Sequence, residues 1–208
     1  MKIVCVAGAS SGAGKTTVAC GLLRQLPGWA ALKVTRCHGA KPCPHKKRGC
    51  NVCGTLAGPY QLLEMTRETD VPGKDTWRLG EAGAGRVLWL IAQPEAVERG
   101  LRKALARLKS APGVVVEGNA AVPWLKADLV VMVRRRAGEK ETASGRAVES
   151  LVNQTFIFDP KRVERECKRW VRPMMRRIKE ASGLPITSRR IADKLPIKRS
   201  VARVSRDR

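Results

Sequence analysis

Lys2-Ile-Val-Cys-Val-Ala-Gly8-Ala9-Ser10-Ser11-Gly12-Ala13-Gly14-Lys15-Thr16 stands at the start of this 208-residue chain and decides its fold class. Residues 3–7 are apolar and rich in β-branched side chains, and glycine bounds them; this reads as a buried parallel strand. From Thr16 to Leu26 apolar residues recur at helical spacing (Val18, Leu22, Leu23, Leu26), and the pattern stops at Pro27-Gly28. Strand, glycine-rich turn and helix in this order have the spacing of a phosphate-binding P-loop, with Ala9 where the first glycine usually stands. In such a loop the backbone amides of Ala9, Ser10, Ser11, Gly12, Ala13 and Gly14 turn inward around phosphate. Lys15 then reaches the β- and γ-phosphates, the Thr16 hydroxyl binds Mg²⁺, and Thr17 follows in the same turn. The positive end of the helix adds to the anion site. No second lysine opens the loop, so a ParA-like signature is absent.

Outward from this segment, Ala31 to Thr35 reads as a second strand and Pro59 to Thr69 as a helix, followed by a loop over Asp70 to Lys74. Arg86 to Ala92 is a third strand, and Pro94 to Ser110 is a helix with Val97, Leu101, Leu105 and Leu108 on one face. Gly113 to Glu117 is a fourth strand ending on an acid, Ala127 to Val133 a fifth, and Thr155 to Phe158 a sixth. Pro160 to Ala181 reads as a long basic helix that Pro173 should kink or divide. A short helical candidate, Ser188 to Leu195, and a basic tail follow. Alternating strands and helices predict a P-loop NTPase of three-layer α/β/α architecture with a mostly parallel central sheet. The expected domains are a nucleotide-binding domain over 1–158, holding a Cys/His-rich insertion at 37–58, and a basic helical extension over 159–208.

Ligands of such sheets bind at the carboxyl ends of the strands. The glycine loop, the acid at Glu117 and the cysteine segment all fall on that edge. Glu117 has the position of a Walker B acid, able to hold magnesium through water or to orient an attacking water or hydroxyl; the alternative is a strand-end acid facing solvent. Arg134-Arg135-Arg136 follows a strand and so lies near the same rim. These arginines can close over phosphate, or form a solvated loop.

Four of seven cysteines fall within residues 37–53. Cys37, Cys43, Cys50 and Cys53 can complete a four-sulfur site, with His38 or His45 as substitutes, and Cys50-x2-Cys53 is the tight turn used by zinc knuckles and iron–sulfur loops. Zn²⁺, an iron–sulfur cluster and free thiols all fit this spacing. Cys5, Cys20 and Cys167 read as structural.

The net charge is +23 and the pI about 10.7. Residues 151–208 hold 17 Lys/Arg against 6 Asp/Glu, and are far more basic per residue than the rest. Such a surface attracts polyanions, nucleic acid or an acidic protein among them, although rings for stacking bases are scarce: two Phe and one Tyr, with five Trp scattered along the chain. No apolar run approaches the roughly 18–20 residues needed to span a bilayer. The N-terminal run is too short for a signal-peptide core, so no membrane association and a cytoplasmic location are expected.

Taken together, the N-terminal loop, strand two running into Lys33 and then Cys37-His38, Pro72-Gly-Lys-Asp-Thr-Trp-Arg78 with Glu81-Ala-Gly-Ala84, and Val114-Val-Val-Glu-Gly118 resemble the molybdopterin-guanine dinucleotide biosynthesis protein B family. The order and spacing agree from residue 1 to about 135. The resemblance implies GTP binding with weak hydrolysis, a homodimer, and help in attaching a guanine nucleotide to the molybdenum cofactor, with a phosphorylated or pterin small molecule as further ligand. It implies Asp75 as a second acid near the magnesium and Arg78 as a phosphate contact. The Cys/His segment stands where family members carry a His-rich stretch, and no guanine-selecting motif is evident, so GTP and ATP both stay open. The leading expectation is a Mg-dependent P-loop NTPase or nucleotide-dependent transferase with Lys15, Glu117 and Asp75 as its catalytic residues. Two rivals stand beside it: a small-molecule kinase or dethiobiotin-synthetase-like ligase, and a nucleotide-switched protein that binds nucleic acid or a partner.

Overall fold

β1 (Lys2–Gly8) runs inside a seven-stranded sheet because its apolar residues need cover on both sides. Val4 and Val6 face one layer of helices, while Cys5 and Ala7 face the other. The computed structural model describes residues 1–37, 52 and 56–181. Most of the expected insertion, the 188–195 helical candidate and the basic tail lie outside those residues.

After β1 come α1 (Lys15–Gln25), β2 (Ala30–Arg36), β3 (Tyr60–Met65), α2 (Asp75–Glu81), β4 (Val87–Ala92) and α3 (Val97–Arg107). β5 (Gly113–Glu117), β6 (Leu129–Arg134), α4 (Ala143–Arg146), β7 (Gln154–Ile157) and α5 (Val163–Ala181) complete the order. The sheet runs β3-β4-β2-β5-β1-β6-β7, and every neighbouring pair is parallel except β3 with β4. Residues of α1, α2 and α5 pack on one face, and α3 packs on the other. In α1, Leu22 and Leu23 are almost completely buried, each worth about 1.5–3 kcal/mol of apolar transfer.

The elements depart from the expected order in two places. The helix expected over residues 59–69 is instead β3, an edge strand antiparallel to β4. Tyr60 and Leu62 pack with the α3 layer, whereas Leu63 and Met65 pack on the opposite side, which is the two-residue period of a strand. Second, α2 occupies residues that carried no assignment; the Asp70 carboxylate accepts hydrogen bonds from the Val71 amide and the Thr76 hydroxyl and so builds the turn into it. Of the two outcomes expected at Pro173, a kink or a division, the helix is not divided: α5 runs past it to Ala181.

The first half of α5 belongs to the core. Val163, Cys167 and Val171 are buried against α1, and a Cβ on Gly21 would come within 2.6 Å of Val163 Cγ1. Burial pushes the thiols of Cys5 and Cys167 up to about 12, in keeping with a structural role.

Candidate functional site

The loop between β1 and α1 is shaped by its glycines. Gly12 and Gly14 hold φ of 69° and 100°, a left-handed region that side chains other than glycine rarely adopt. Ala9 and Ala13 are fully buried and anchor the loop from below. No side chain caps α1, which starts at Lys15, so the first-turn amides keep their donors for another partner. The Lys15 stem folds back over the end of β1: a Cβ on Gly8 would stand 2.9 Å from Lys15 Cγ and Cδ.

A second segment braces the loop. Thr142 donates to the Ala9 carbonyl from its amide at 2.9 Å and from its hydroxyl at 3.1 Å. Ser10 Oγ donates to Glu139 Oε2 at 3.0 Å, and the other oxygen of Glu139 accepts from the Arg135 amide. Arg135 Nε in turn donates to the Gly12 carbonyl at 3.3 Å. Of the three arginines, therefore, Arg135 reaches the loop. Arg134 turns away to Glu141 and Glu149.

Strand adjacency sets the acids. β5 lies between β1 and β2, and its last residue, Glu117, pairs in register with Val6 on one side and Lys33 on the other. Thr16 Oγ1 donates to Glu117 Oε1 at 2.9 Å. Glu117 is only 4% exposed, and its Oε2 has no hydrogen-bond partner among the described residues. Lys33 Nζ stands 3.7 Å from Glu117 Oε1 and bonds directly to Asp75 Oδ2. Burial pushes the Asp75 carboxyl up, but Lys33, the nearby Thr16 hydroxyl and Arg78 outweigh it and hold it below the usual carboxylate range. Burial lowers the Lys15 ammonium, and Lys33 adds to this; Glu117 and Asp75 oppose it in part. Lys15, Thr16, Asp75 and Glu117 thus form one group, with Lys33 as its inner cation.

The oxygen set fits magnesium. That ion takes one or two carboxylates, with its other positions filled by water and phosphate. A buried carboxylate oxygen without a partner is costly unless something arrives to use it. Among the described residues, no group of three His, Cys, Asp or Glu is gathered closely enough to hold a metal on its own.

Arg78 Nη2 donates to Thr17 Oγ1 at 3.0 Å, which joins α2 to the first turn of α1. Cys37 is buried beside Ile91, and its amide donates to the Ala92 carbonyl at 2.7 Å. Cys43, Cys50 and Cys53, with His38 and His45, lie outside the described residues. Sequence reasoning missed Lys33 as a site residue, although a charge inside the apolar run Ala31–Val34 was a legible signal that a partner was needed. It also missed Asn119, whose side chain bonds both the amide and the carbonyl of Gly8, and the Arg135–Glu139 brace.

These features define an α/β protein whose glycine-rich loop, two carboxylates and two lysines share one sheet edge. No described helix is long and apolar enough to cross a membrane. No protein-family model matches the chain and no curated protein matches it.

Proposed function

We propose that the chain binds a nucleoside triphosphate with magnesium at residues 9–16 and hydrolyses or transfers its γ-phosphoryl group. The observation that carries this reading is the Thr16–Glu117 hydrogen bond beside Lys15, with the second Glu117 oxygen buried and unpartnered. Amides from Ala9 to Gly14 and the N-terminus of α1 accept the phosphates, and Lys15 pairs with the β- and γ-oxygens. Thr16 and Glu117 hold the magnesium, with Asp75 beside them; the ion supplies charge neutralisation on the departing diphosphate. Glu117 orients the attacking oxygen, while Lys33 keeps Asp75 ionised and in place. Thr17, linked to Arg78, continues the phosphate contacts along α1.

The resemblance adds a guanine nucleotide and the molybdenum cofactor to this proposal. It also leaves zinc or an iron–sulfur cluster at Cys37, Cys43, Cys50 and Cys53 as a separate part, read by metal analysis of the purified protein. The test of the main reading is phosphate release from GTP and ATP. Turnover should require magnesium and fall at least a hundredfold in Lys15→Ala; equal turnover in that variant would overturn it.

A further inference from the structure

One side of α5 is buried and the other is charged. Val163, Glu166, Cys167 and Val171, at steps of three or four residues, form the buried side. Arg165, Lys168, Arg169, Arg172 and Arg176 recur at similar steps and are all exposed. At a rise of about 1.5 Å per residue, this stripe of cations is about 16 Å long. Residues 161–176 hold seven Lys/Arg against two Asp/Glu.

Both of those acids are already engaged. Glu164 pairs with Arg24 of α1 at 3.7 Å. The Glu166 side chain is only 6% exposed, with Arg169 Nη2 at 2.7 Å, Arg162 Nη2 at 3.5 Å and Arg165 Nη2 at 3.6 Å from its oxygens. One carboxylate thus orders three guanidinium groups and neutralises a single charge. Lys168, Arg172 and Arg176 make no ion pair among the described residues. Like charges at this spacing oppose the helix that carries them. The core holds the helix in place: Val163 packs against Gly21, and Cys167 Sγ donates to the Val18 carbonyl at 3.6 Å. A polyanion laid on the stripe would relieve the repulsion.

What the stripe lacks narrows the partner. A protein interface is centred on buried apolar or aromatic anchors. Among the described residues the large apolar side chains that stand exposed are Met1, Val71, Trp124, Leu151 and Ile157, none of them on α5. Single-stranded nucleic acid is held by stacking bases on rings. The one ring of α5, Trp170, packs edge-on to Phe156 in the core with centroids 5.6 Å apart. What remains is positive charge at regular intervals, which matches the closely spaced phosphates of a duplex. Arginine, four of the five cations, also meets phosphate oxygens with paired hydrogen bonds.

We propose that the exposed face of α5 binds double-stranded nucleic acid through its phosphates, without reading base sequence. This goes beyond the nucleotide reading and stands independently of it.

The test follows the anisotropy of labelled DNA and RNA duplexes of about 20 base pairs, titrated with the full chain between ~50 and ~200 mM salt. At least one duplex should bind, with log affinity falling steeply against log salt. Arg165→Gln with Arg172→Gln should weaken binding about tenfold or more at the lowest salt and flatten that slope by about 2. Arg165→Lys with Arg172→Lys keeps the charge and should retain the slope. Arg102→Gln with Lys103→Gln removes two exposed cations from α3, on the other face of the sheet, and should change affinity less than twofold. The Lys/Arg of residues 182–208 are common to all these proteins and cancel from the comparison. Binding of neither duplex, an equal loss in the α3 variant, or an unchanged slope in the α5 glutamine variant would overturn the proposal. So would tighter binding of a polyglutamate peptide than of either duplex, which would point to an acidic protein instead.

Discussion

Thr16 and Glu117, 101 residues apart, share a 2.9 Å hydrogen bond that ties the first turn of α1 to the end of β5. The bond exists because β5 is the immediate neighbour of β1, which brings the acid beside the loop that β1 feeds. It uses one oxygen of Glu117 and leaves the other buried and unpartnered. Glu117→Gln keeps the shape and an acceptor for Thr16 but removes the charge. The variant should fold, need at least tenfold more magnesium for half-maximal turnover, and lose on the order of a hundredfold in rate at saturation. A magnesium titration of turnover reads both effects.

Lys15 holds its ammonium partly stripped of water, and its pKa is lowered chiefly by burial. A base whose folded pKa lies below its unfolded value costs stability wherever it is protonated. The cost is full below the folded pKa and disappears as pH rises through it towards the ordinary lysine value of 10.5. Lys15→Met should therefore raise the Tm of the nucleotide-free protein at neutral pH while abolishing nucleotide binding. In the wild type, nucleotide at a hundred times its Kd should restore about 2.7 kcal/mol. Thermal melts of both proteins, with and without nucleotide, check the pair of effects.

Asp75 has the opposite sign. Its folded pKa lies below the ordinary aspartate value of 3.8, so its contribution is present above that value and is lost as pH falls through the folded pKa. Lys33→Met removes the strongest cause of the lowered pKa. The acid limb of the variant's stability profile should move to higher pH, as followed by denaturant melts between pH 5 and 2.

Gly8→Ala tests the path of the Lys15 side chain. The added Cβ would meet Lys15 Cγ and Cδ at 2.9 Å, and a flexible side chain can yield to it at little cost in stability. The fold should survive with a Tm close to the wild type, while nucleotide affinity drops at least tenfold because Lys15 no longer lies across the strand end.

Cys167 is fully buried on α5 with its thiol pushed up to about 12. Differential alkylation at pH 8 should leave the Cys167 peptide unmodified in the native protein and label it in denaturant. Because Val163, Cys167 and Val171 pack on α1, removing residues 160–208 should destabilise the whole domain by several kcal/mol. Binding of polyanions to the basic surface is better tested by reversing exposed charges such as Arg165 and Arg172.

Local pattern revealed the parallel strands, α1 and α3, because each carries a continuous apolar run or a full helical face. Residues 59–69 misled because a short mixed run fits either period, and only pairing with β4 along the sheet edge decides between them. The seven residues of α2 were too few, with too little apolar face, to stand out. The loop residues and Glu117 were legible as motifs. The partnership of Lys33 with Asp75 was not, since strand order and the return of α2 to the sheet edge bring them together and neither is written locally. Arg134 and Arg135 are adjacent in sequence and alike in chemistry; only the carboxylates that each one meets separate their roles.

Nucleotide binding is proposed to rest on Lys15 and the loop before it, with magnesium beside them. Calorimetric titration of GTP and of ATP into the purified full chain, with magnesium and with EDTA, tests it most directly. One site per chain is expected for at least one of the two nucleotides, weakened at least tenfold by EDTA and undetectable in Lys15→Ala. Binding of neither nucleotide, or equal affinity in the wild type and Lys15→Ala, would contradict it.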